Sequence, residues 1–302
     1  MFNMNRNFIY FINPISGTKN KDALLKLIEE KTSKAAIPFQ VLHTNASGDY
    51  AYLVEKIGRE KITDIIVCGG DGTVNQVAGS LLNTNINIGI IPMGSGNGLA
   101  LAAGIPTNPS KALDIIFKGK ASYIDGFYIN NSFSCMLCGL GFDALVAHEF
   151  AVHPSRGLST YVKLSLKNFF KAKFYPFVIE ANGTTIQSDA FFISIANSNQ
   201  FGNNFTIAPR ASLNDGLLDI VIVNKMSKLR LVYTILKQIR MGKVELTSGK
   251  KFHKRDIQYF QTKSLEIKNP LSAPLHIDGD PAVTENFFKI KIVENAFRLL
   301  QS

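Results

Sequence analysis

The chain has 302 residues, of which 46% are hydrophobic, with a formal net charge of +10 and three cysteines. This length is comfortable for two hydrophobic cores, and no run of about 18 apolar residues marks a membrane span. The N-terminus lacks the apolar segment of a secretory signal. These features argue against an integral membrane protein and a disulfide-stapled secreted domain, and they predict a cytoplasmic protein.

Three short apolar runs near the start of the chain are predicted to be buried parallel strands. They are Phe8–Ile12, Asp64–Cys68 and Asn87–Ile91, and each is followed by a polar loop that contains glycine. Helices predicted between them, such as Asp22–Lys34 and Thr73–Leu82, give the alternation typical of an α/β sheet. In an open parallel sheet these loops would meet at the carboxyl ends of the strands, where such folds bind ligands.

The loop after the second strand reads Gly-Gly-Asp-Gly-Thr over residues 69–73. Glycines let the backbone turn sharply and approach a ligand, and the N–H groups at the next helix start would face an anion. Asp71 is expected to face the surface, within reach of a phosphate-bound metal. An ordinary strand–turn–helix connection is the alternative. Because the spacing also supplies a carboxylate and a hydroxyl, the pattern favours a nucleoside triphosphate site.

From about residue 127 short β-rich runs replace the α/β alternation, with turn signals between them. This pattern predicts an antiparallel β-sandwich or barrel-like second domain. The predicted division is 1–126 for the nucleotide-binding domain and 127–293 for the β-rich domain. The predicted strands are Tyr128–Leu137, Phe177–Ala181, Ala190–Ala196, Leu217–Val223, Ser264–Lys268, Leu275–Ile277 and Phe287–Val293.

Cysteines and histidines give no clear metal or redox pattern. Cys135 and Cys138 form a C-x-x-C in a strand-like stretch, where residues three apart point to opposite faces, so two buried inert cysteines are predicted. His276 lies close to Asp278 in sequence. It is read as a packed strand histidine, with a place in the site as the alternative.

Positive charge is concentrated in the second half of the chain. Residues 1–150 contain 12 basic and 12 acidic residues, and residues 151–302 contain 21 and 11. A basic amphipathic helix is predicted at Tyr161–Phe174, with Lys163, Lys167 and Lys171 on one face. It either lies on an anionic membrane or presents a solvated face over a core. A second basic stretch, 225–255, is read as a solvated face. No zinc-finger, RNP or helix-turn-helix signature appears, so nucleic acid is not an expected partner.

The motifs together resemble those of the diacylglycerol/sphingosine kinase family, in particular its soluble bacterial lipid kinases. The family pattern is Asn-Pro-x-Ser-Gly, then Gly-Gly-Asp-Gly-Thr-x-Asn, then Gly-Ser/Thr-x-Asn, and Asp-Gly-Glu near the end. This chain matches it in order and spacing at 13–17, 69–75, 94–97 and 278–280. Asp280 stands where glutamate is usual, and Gly98 where many bacterial diacylglycerol kinases have aspartate.

The resemblance implies a two-domain lipid kinase with a Rossmann-like first domain, to which residues 294–302 return. Its active site would lie in the cleft between the domains, with ATP and Mg²⁺ as cofactors. The residues expected to bind the nucleotide are Asn13, Pro14, Ser16, Gly17, Thr44, Gly69, Gly70, Asp71, Gly72, Thr73, Asn75, Gly94, Ser95, Gly96 and Asn97. Backbone N–H groups at 69–73 and 94–96 would hold the triphosphate.

Two acidic turns complete the expected site. Asp278 and Asp280 flank a glycine, so their pKa values are expected to separate, and the resemblance puts the general base at this turn. A plain β-turn with two aspartates is the alternative. By the same resemblance Asp215 would bind a structural Mg²⁺, together with the carbonyl oxygens of Ser212 and Leu217.

The expected acceptor is diacylglycerol or a related lipid alcohol, met at an anionic membrane surface. A sphingoid base, ceramide or phosphatidylglycerol is the alternative acceptor. NAD kinase shares the Gly-Gly-Asp-Gly-Thr motif, but Asn75 and the 94–97 loop favour the lipid branch. A nucleotide-binding regulator at the membrane surface is the non-enzymatic alternative. The presence of both carboxylates, Asp278 and Asp280, argues against it. A homodimer is left open.

Overall fold

The structure, a computed structural model, describes residues 6–14, 16, 21–45, 47–155, 157–169, 171–202, 205–225 and 256–302. The chain divides into two compact units. The first consists mainly of residues 1–126 with the C-terminal residues 294–302, and the second of most of residues 127–293. Gly17, which was expected to bind the nucleotide, lies outside the described residues. So does nearly all of the basic stretch 225–255.

The first unit is built on a parallel sheet in the order β2–β1–β3–β4. These strands are β1 (Phe8–Ile12), β2 (Phe39–His43), β3 (Asp64–Gly69) and β4 (Asn87–Pro92). Every residue of β1 and β3 is buried, which is typical of strands covered on both faces. The register pairs Ile12 with Cys68. The carboxyl ends of neighbouring strands are therefore level, and the loops after them start side by side.

Helices follow the strands, and local sequence sets their ends. They are α1 (Lys21–Lys34), α2 (Tyr52–Glu60), α3 (Asp71–Ser80), α4 (Gly98–Ala102) and α5 (Pro109–Lys118). The Asn108 side chain accepts a hydrogen bond from the backbone N–H of Lys111 and so caps α5, and Gly119 ends that helix at φ +68°. Helix α3 begins at Asp71, two residues before the predicted start, because Gly70 is its N-cap.

The C-terminal residues complete the first unit. In strand β17 (Phe287–Leu300), Leu299 pairs in parallel with Ile88, which adds a strand beside β4. The backbone N–H of Asn295 donates to buried Asp125 at 2.8 Å. Strand β5 (Ala121–Ile129) also pairs with β17.

The second unit is an antiparallel assembly around the long strand β9 (Thr184–Ala196). The N-terminal half of β9 pairs with β8 (Tyr175–Ala181), and its C-terminal half lies between β7 (Leu137–Gly141) and β12 (Leu218–Asn224). Alternate residues of these strands fill one apolar core, in which Phe177, Ile195 and Ile220 are almost fully buried. The strands after β5 and before β17 are β6 (Ser132–Ser134), β7 (Leu137–Gly141), β8 (Tyr175–Ala181), β9 (Thr184–Ala196), β10 (Gln200–Gly202), β11 (Phe205–Thr206), β12 (Leu218–Asn224), β13 (Ile257–Thr262), β14 (Ser264–Lys268), β15 (Leu275–Ile277) and β16 (Asp280–Ala282).

The predicted strand Tyr128–Leu137 is wrong as a single element. Strand β5 ends at Ile129, the chain turns at Asn130 with φ +50°, and β6 pairs back on β5 as a hairpin. The next strand, β7, begins only at Leu137. An apolar run alone did not reveal the turn, whose Asn residues are its sequence signal.

Two helices, α6 (Phe142–Val152) and α7 (Leu158–Phe169), follow β7. Their packing on the sheet is aromatic: the Phe142 ring stacks on Phe191 at 4.5 Å between centroids, and Phe169 meets Phe191 edge-on at 5.8 Å. The predicted basic helix extended to Phe174, but α7 ends at Phe169, so Lys171 lies beyond it. Within the part of the chain that the structure describes, no helix is long and apolar enough to cross a membrane.

Candidate functional site

The three polar loops of the first unit are tied together by hydrogen bonds. The backbone N–H of Asn13 donates to the carbonyl of Cys68 at 3.1 Å, and its side-chain amide donates to Oγ1 of Thr73 at 2.9 Å. The backbone N–H of Met93 donates to the carbonyl of Gly69 at 2.9 Å. The loops after β1, β3 and β4 thus form one connected surface at the carboxyl edge of the sheet.

Two glycines allow the loops after β3 and β4 to touch through their backbones. A Cβ atom on Gly94 would lie 2.6 Å from Cα of Gly70, and one on Gly70 would lie 3.1 Å from Cα of Gly94. A Cβ on Gly69 would lie 2.9 Å from Cβ of Thr73. Real Cβ atoms essentially never come within 3.0 Å of another atom, so glycine at 69 and 94 is a steric requirement of these loops as well as a means of approaching a ligand.

Asp71 joins these loops through its side chain. Its carboxylate accepts hydrogen bonds from the backbone N–H groups of Gly98 at 3.0 Å and Leu99 at 3.2 Å, at the start of α4. The side chain was expected to face the surface, and it is half-buried. The carboxylate satisfies two N–H groups that the first turn of a helix leaves without an intrahelical partner. Gly98 is one of these donors.

Asn97 shapes the loop after β4. Its φ is +52°, its Oδ1 accepts from the backbone N–H of Gly94 at 2.8 Å, and its Nδ2 donates to the Gly94 carbonyl at 2.7 Å. The N–H of Gly94, expected to face the triphosphate, therefore serves the loop itself. Ser95 and Gly96, which are half-buried at the tip, are the residues of this loop that stay candidates for ligand contact.

The remaining expected nucleotide residues lie near the end of β1 or in α3. Thr44 donates its backbone N–H to the carbonyl of Ile12 at 3.1 Å, and the Ser16 hydroxyl donates to the Asn13 carbonyl at 3.3 Å. Pro14 is exposed, and Asn75 is half-buried in α3, where Gly72 also lies. All of the expected nucleotide ligands that the structure describes thus lie in the first unit.

The Asp278–Gly279–Asp280 turn of the second unit joins β15 to β16. Two successive residues with positive φ, Asp278 at +49° and Gly279 at +87°, make it tight. The Asp278 carboxylate is buried and faces the segment between β6 and β7. It accepts hydrogen bonds from the Ser134 hydroxyl at 2.7 Å and from the backbone N–H groups of Cys135 at 3.2 Å, Met136 at 3.2 Å and Leu137 at 2.9 Å.

The two carboxylates of this turn have opposite surroundings. Burial raises the pKa of Asp278, while the hydrogen bonds from Ser134 and the three N–H groups act against that rise. Asp280 is exposed. One side chain anchors the turn, and the other is exposed to solvent.

A buried histidine and a buried carboxylate lie beneath the turn. His276 is fully buried in β15, as predicted for a packed strand histidine, and its Nδ1 accepts from the backbone N–H of Gly279 at 3.3 Å. Its Nε2 lies 3.4 Å from Oδ2 of Asp143 in α6. Asp143 and Ser134 were missed by the sequence reasoning, because contacts between distant segments leave no local signal.

The expected structural Mg²⁺ site is a turn around Gly216, whose φ is +71°. Asp215 is exposed, and its Oδ1 accepts the backbone N–H of Leu217 at 3.1 Å, while the Ser212 hydroxyl donates to Asn214 at 3.1 Å. Among the described residues no three His, Cys, Asp or Glu side chains form a group that could hold a metal. One carboxylate with carbonyl oxygens still fits Mg²⁺, which prefers oxygen ligands and keeps several waters.

The exposed face of α7 combines charge with apolar surface. Lys163 and Lys167 are exposed, and so are Val162 at 45% and Leu166 at 62%. The opposite face packs on the unit through Leu164 and Phe169, both buried.

Cys135 and Cys138 are both buried, and neither forms a disulfide. Cys68, in the first unit, is also buried and free. Burial raises the pKa of the Cys138 thiol well above its ordinary value, which disfavours the reactive thiolate. The C-x-x-C is therefore packing rather than chemistry.

Comparisons with known proteins agree with this architecture. Residues 7–129 match the diacylglycerol kinase catalytic domain, and residues 137–301 match the YegS C-terminal NAD kinase beta sandwich-like domain. The chain is 28% identical to a probable lipid kinase YegS-like from Enterobacter sp. (strain 638), covering 88% of this chain and 89% of that one. It is 25% identical to a diacylglycerol kinase from Bacillus subtilis (strain 168), covering 89% and 88%.

A solved structure shares the whole fold. The crystal structure of a putative diacylglycerol kinase from Bacillus anthracis str. Sterne superposes with a TM-score of 0.78 at 22% identity, covering 98% of each chain. The predicted fold class, a Rossmann-like α/β part followed by an antiparallel β-sandwich, is confirmed. With matches that span both halves of its sequence, the chain belongs to the diacylglycerol kinase/YegS family of lipid kinases.

Proposed function

We propose that this lipid kinase transfers the γ-phosphoryl group of ATP to a hydroxyl of diacylglycerol or a related lipid alcohol. The acceptor oxygen forms a bond to the γ-phosphorus, the bond from that phosphorus to the bridging oxygen breaks, and ADP leaves. The acceptor proton passes to a carboxylate of the enzyme. Such transfer needs a held triphosphate, neutralised charge and a proton acceptor.

The observation that carries the proposal is the connected loop surface of the first unit. The side chain of Asn13 donates to Thr73, and the backbones of Gly70 and Gly94 come into contact. The start of α3 lies in this surface, and the N–H groups of a helix start favour a phosphate. In this proposal Asp71 holds the loop after β4 in place rather than binding metal directly.

Asp280 is assigned as the proton acceptor. A general base has to reach the acceptor hydroxyl, and Asp280 is exposed. Asp278 is less suited to this role because four donors of the chain already occupy its carboxylate. Aspartate is one methylene shorter than the glutamate usual in the family, so the acceptor lipid has to approach the backbone of this turn more closely.

Mg²⁺ is the proposed metal cofactor. Bound to the phosphates of ATP, it supplies neutralisation of the charge that develops during transfer. A second, structural Mg²⁺ is proposed at the turn of Ser212, Asp215 and Leu217, where the oxygen donors fit its chemistry. Asp215 there is exposed enough to bind a hydrated ion.

The acceptor lipid lies in a membrane, so the enzyme has to reach one. We place it in the cytoplasm and propose that it docks peripherally through the exposed face of α7. Leu166 and Val162 supply apolar contact there, while Lys163 and Lys167 favour anionic headgroups. A homodimer stays a prediction without support among the described residues.

The function is tested by incubating the protein with ATP radiolabelled at the γ-phosphate, Mg²⁺ and a total lipid extract, followed by mass identification of the labelled product. Label in phosphatidic acid is the expected result. Label in a phosphorylated sphingoid base, ceramide or phosphatidylglycerol would move the assignment to that acceptor. The Asp280→Asn variant serves as the matched control, because it changes one atom of an exposed side chain.

Two further arms separate the remaining alternatives. Replacement of the lipid extract by NAD tests for NAD kinase activity, and label in NADP would overturn the lipid assignment. ATP binding without label in any acceptor would favour the nucleotide-binding regulator.

A further inference from the structure

Helix α6 contacts the strand that leads into the Asp278–Gly279–Asp280 turn at two points. His148 donates from Nε2 to the carbonyl of Leu275 at 2.7 Å, at the start of β15. Asp143, one turn earlier on the helix, faces His276 at the centre of the same strand. The helix therefore holds β15 through polar side chains as well as by packing.

The contact between Asp143 and His276 is built into the core of the second unit. His276 is fully buried, and Asp143 is only 7% exposed. A Cβ atom on Gly139, in the neighbouring strand β7, would lie 1.9 Å from Oδ2 of Asp143 and 2.6 Å from Nε2 of His276. The glycine leaves the space that the two side chains occupy. Buried charged and polar groups are costly unless they meet a partner, and here the two groups meet within ion-pair distance without hydrogen-bond geometry, so their contact is electrostatic.

The imidazole links Asp143 to the turn. A backbone N–H can donate to Nδ1 only if that nitrogen carries no proton, and the Gly279 N–H points at Nδ1 of His276 at 3.3 Å. The ring proton is then on Nε2, which lies 3.4 Å from Oδ2 of Asp143, within ion-pair distance but outside hydrogen-bond geometry. The carboxylate acts on the ring through close electrostatic contact, and the ring holds the peptide N–H of Gly279, which precedes Asp280.

We propose that Asp143 and His276 form a positioning pair that fixes the backbone of the turn and with it the carboxylate of Asp280. Asp278 anchors one side of Gly279 through its four hydrogen bonds to the segment between β6 and β7. The imidazole anchors the other side through the Gly279 N–H. The inference rests on the proposed role of Asp280.

The main test is a double-mutant cycle between His276 and Asp280, assayed with ATP and dioleoylglycerol in mixed micelles. His276→Phe keeps an aromatic ring and removes both nitrogens. We expect it to lower kcat by about 10- to 100-fold, the scale of a misplaced reacting group, with KM for ATP unchanged. In an Asp280→Asn background the same change should alter kcat by less than about twofold, because the base it positions is already absent. Equal losses in both backgrounds would overturn the proposal.

Conservative and matched variants separate positioning from stability. His276→Gln keeps an acceptor and a donor and should recover much of the kcat lost in His276→Phe. Asp143→Asn keeps the size of the side chain and should give the same non-additive pattern with Asp280→Asn. This second cycle tests the proposal even if His276→Phe does not fold. His148→Ala removes the other contact of α6 with β15. It should lower the thermal midpoint, with a kcat effect independent of residue 280.

A spectroscopic measurement on the wild-type protein tests the contact without any assay. Long-range ¹H–¹⁵N spectra of protein labelled in histidine should show His276 protonated at Nε2 and not at Nδ1, and Asp143→Asn should shift the Nε2 signal. A proton on Nδ1 would overturn the proposal. If Asp280→Asn retains wild-type turnover, the proposed base is wrong. If Asp280→Asn is inactive and the cycle is additive, only the positioning pair is wrong.

Discussion

Side chains that belong to the same sequence motif have different roles in this protein. Asp278 and Asp280 lie two residues apart in one motif, yet the first is buried among four donors and the second is exposed. Asp71, in the glycine motif, supports the start of α4. Burial and hydrogen bonding, rather than residue type, assign the chemistry.

We expect Asp278→Asn and Asp280→Asn to fail in different ways. In Asp278→Asn a buried amide would meet N–H donors that need an acceptor, at a cost of about 1–3 kcal/mol in the free energy of unfolding. In Asp280→Asn the free energy of unfolding should change by less than about 0.5 kcal/mol. Its turnover should fall by about 10²- to 10⁴-fold, the usual contribution of a general base. Urea unfolding and steady-state kinetics on both variants measure this. If the free energy of unfolding fell only in Asp280→Asn, the assignment of Asp278 as the structural anchor and Asp280 as the base would be contradicted.

Asp219 of β12 gives a prediction on pH. It is fully buried, and burial raises the pKa of its carboxyl, although hydrogen bonds from Tyr259 and Gln261 oppose the rise. The folded state then holds the proton more tightly than the unfolded state. The contribution of Asp219 to stability is therefore full below the unfolded pKa of about 3.9 and falls as pH rises through the folded pKa.

Asp219→Asn should remove that pH dependence, because the amide does not titrate and its oxygen can still accept from Tyr259. The free energy of unfolding of the variant, relative to wild type, should rise as pH increases from about 4 and then level off above the folded pKa. Urea unfolding of both proteins across this range checks it. A difference that stays constant with pH would mean that the carboxyl titrates alike in both states.

At the scale of elements, the glycine loops determine how the strands of the first unit present a surface. The loops after β3 and β4 are joined by backbone contact at Gly70 and Gly94, by Asp71 and by the Met93 N–H. A change at this contact would move both loops, and through Asn13 and Thr73 also the loop after β1.

We therefore expect Gly94→Ala to destabilise the first unit and to weaken ATP binding. Its Cβ would lie 2.6 Å from Cα of Gly70, and backbone cannot give way cheaply, so a cost of about 1–3 kcal/mol follows. Gly58 is the matched control, because a Cβ there meets nothing within 4 Å and the residue lies inside α2. Gly58→Ala should stabilise by about 0.5–1 kcal/mol. Thermal unfolding and ATP titration of both variants test the contrast, which fails if Gly94→Ala binds ATP as wild type does.

Elements with a strong local pattern could be predicted from the sequence, and others could not. The strand Phe8–Ile12 and the strand Ser264–Lys268 lie where the apolar and alternating patterns indicate. Helix α6 was not predicted, because Phe142–Val152 is apolar on most sides and has no clear helical period. The basic helix was predicted too long, since lysine spacing does not reveal where packing ends at Phe169.

For the candidate site, the sequence revealed motifs and the structure shows the contacts between them. The glycines and the Asp-Gly-Asp turn were recognisable because each motif is local. The partners of Asp278, such as Ser134, and the pairing of His276 with Asp143 join segments more than 100 residues apart. No periodicity or spacing encodes such contacts, so they could be seen only in the folded chain.

At the scale of the whole molecule, charge is divided unequally along the chain. Residues 1–150 are balanced, and the excess of positive charge lies in residues 151–302. A balanced part suits a nucleotide held by backbone groups, and a basic part suits an anionic membrane. The exposed lysines of α7 contribute to this excess of positive charge, and they lie next to exposed Val162 and Leu166.

Binding of the full chain to vesicles of phosphatidylcholine with anionic phosphatidylglycerol should therefore weaken as salt is added. The Debye length falls from about 8 Å at 0.15 M to about 3 Å at 1 M, which screens lysines from headgroups. Lys163→Glu with Lys167→Glu should lower the vesicle affinity by at least about 10-fold, since each lysine near an anionic surface contributes about 1 kcal/mol. The exposed pair Lys34→Glu with Lys118→Glu, in the first unit, makes the same change in net charge and should have a much smaller effect. Co-sedimentation measures both pairs. Equal losses would show that net charge alone governs binding, and no loss in the α7 pair would show that its lysines form only a solvated face.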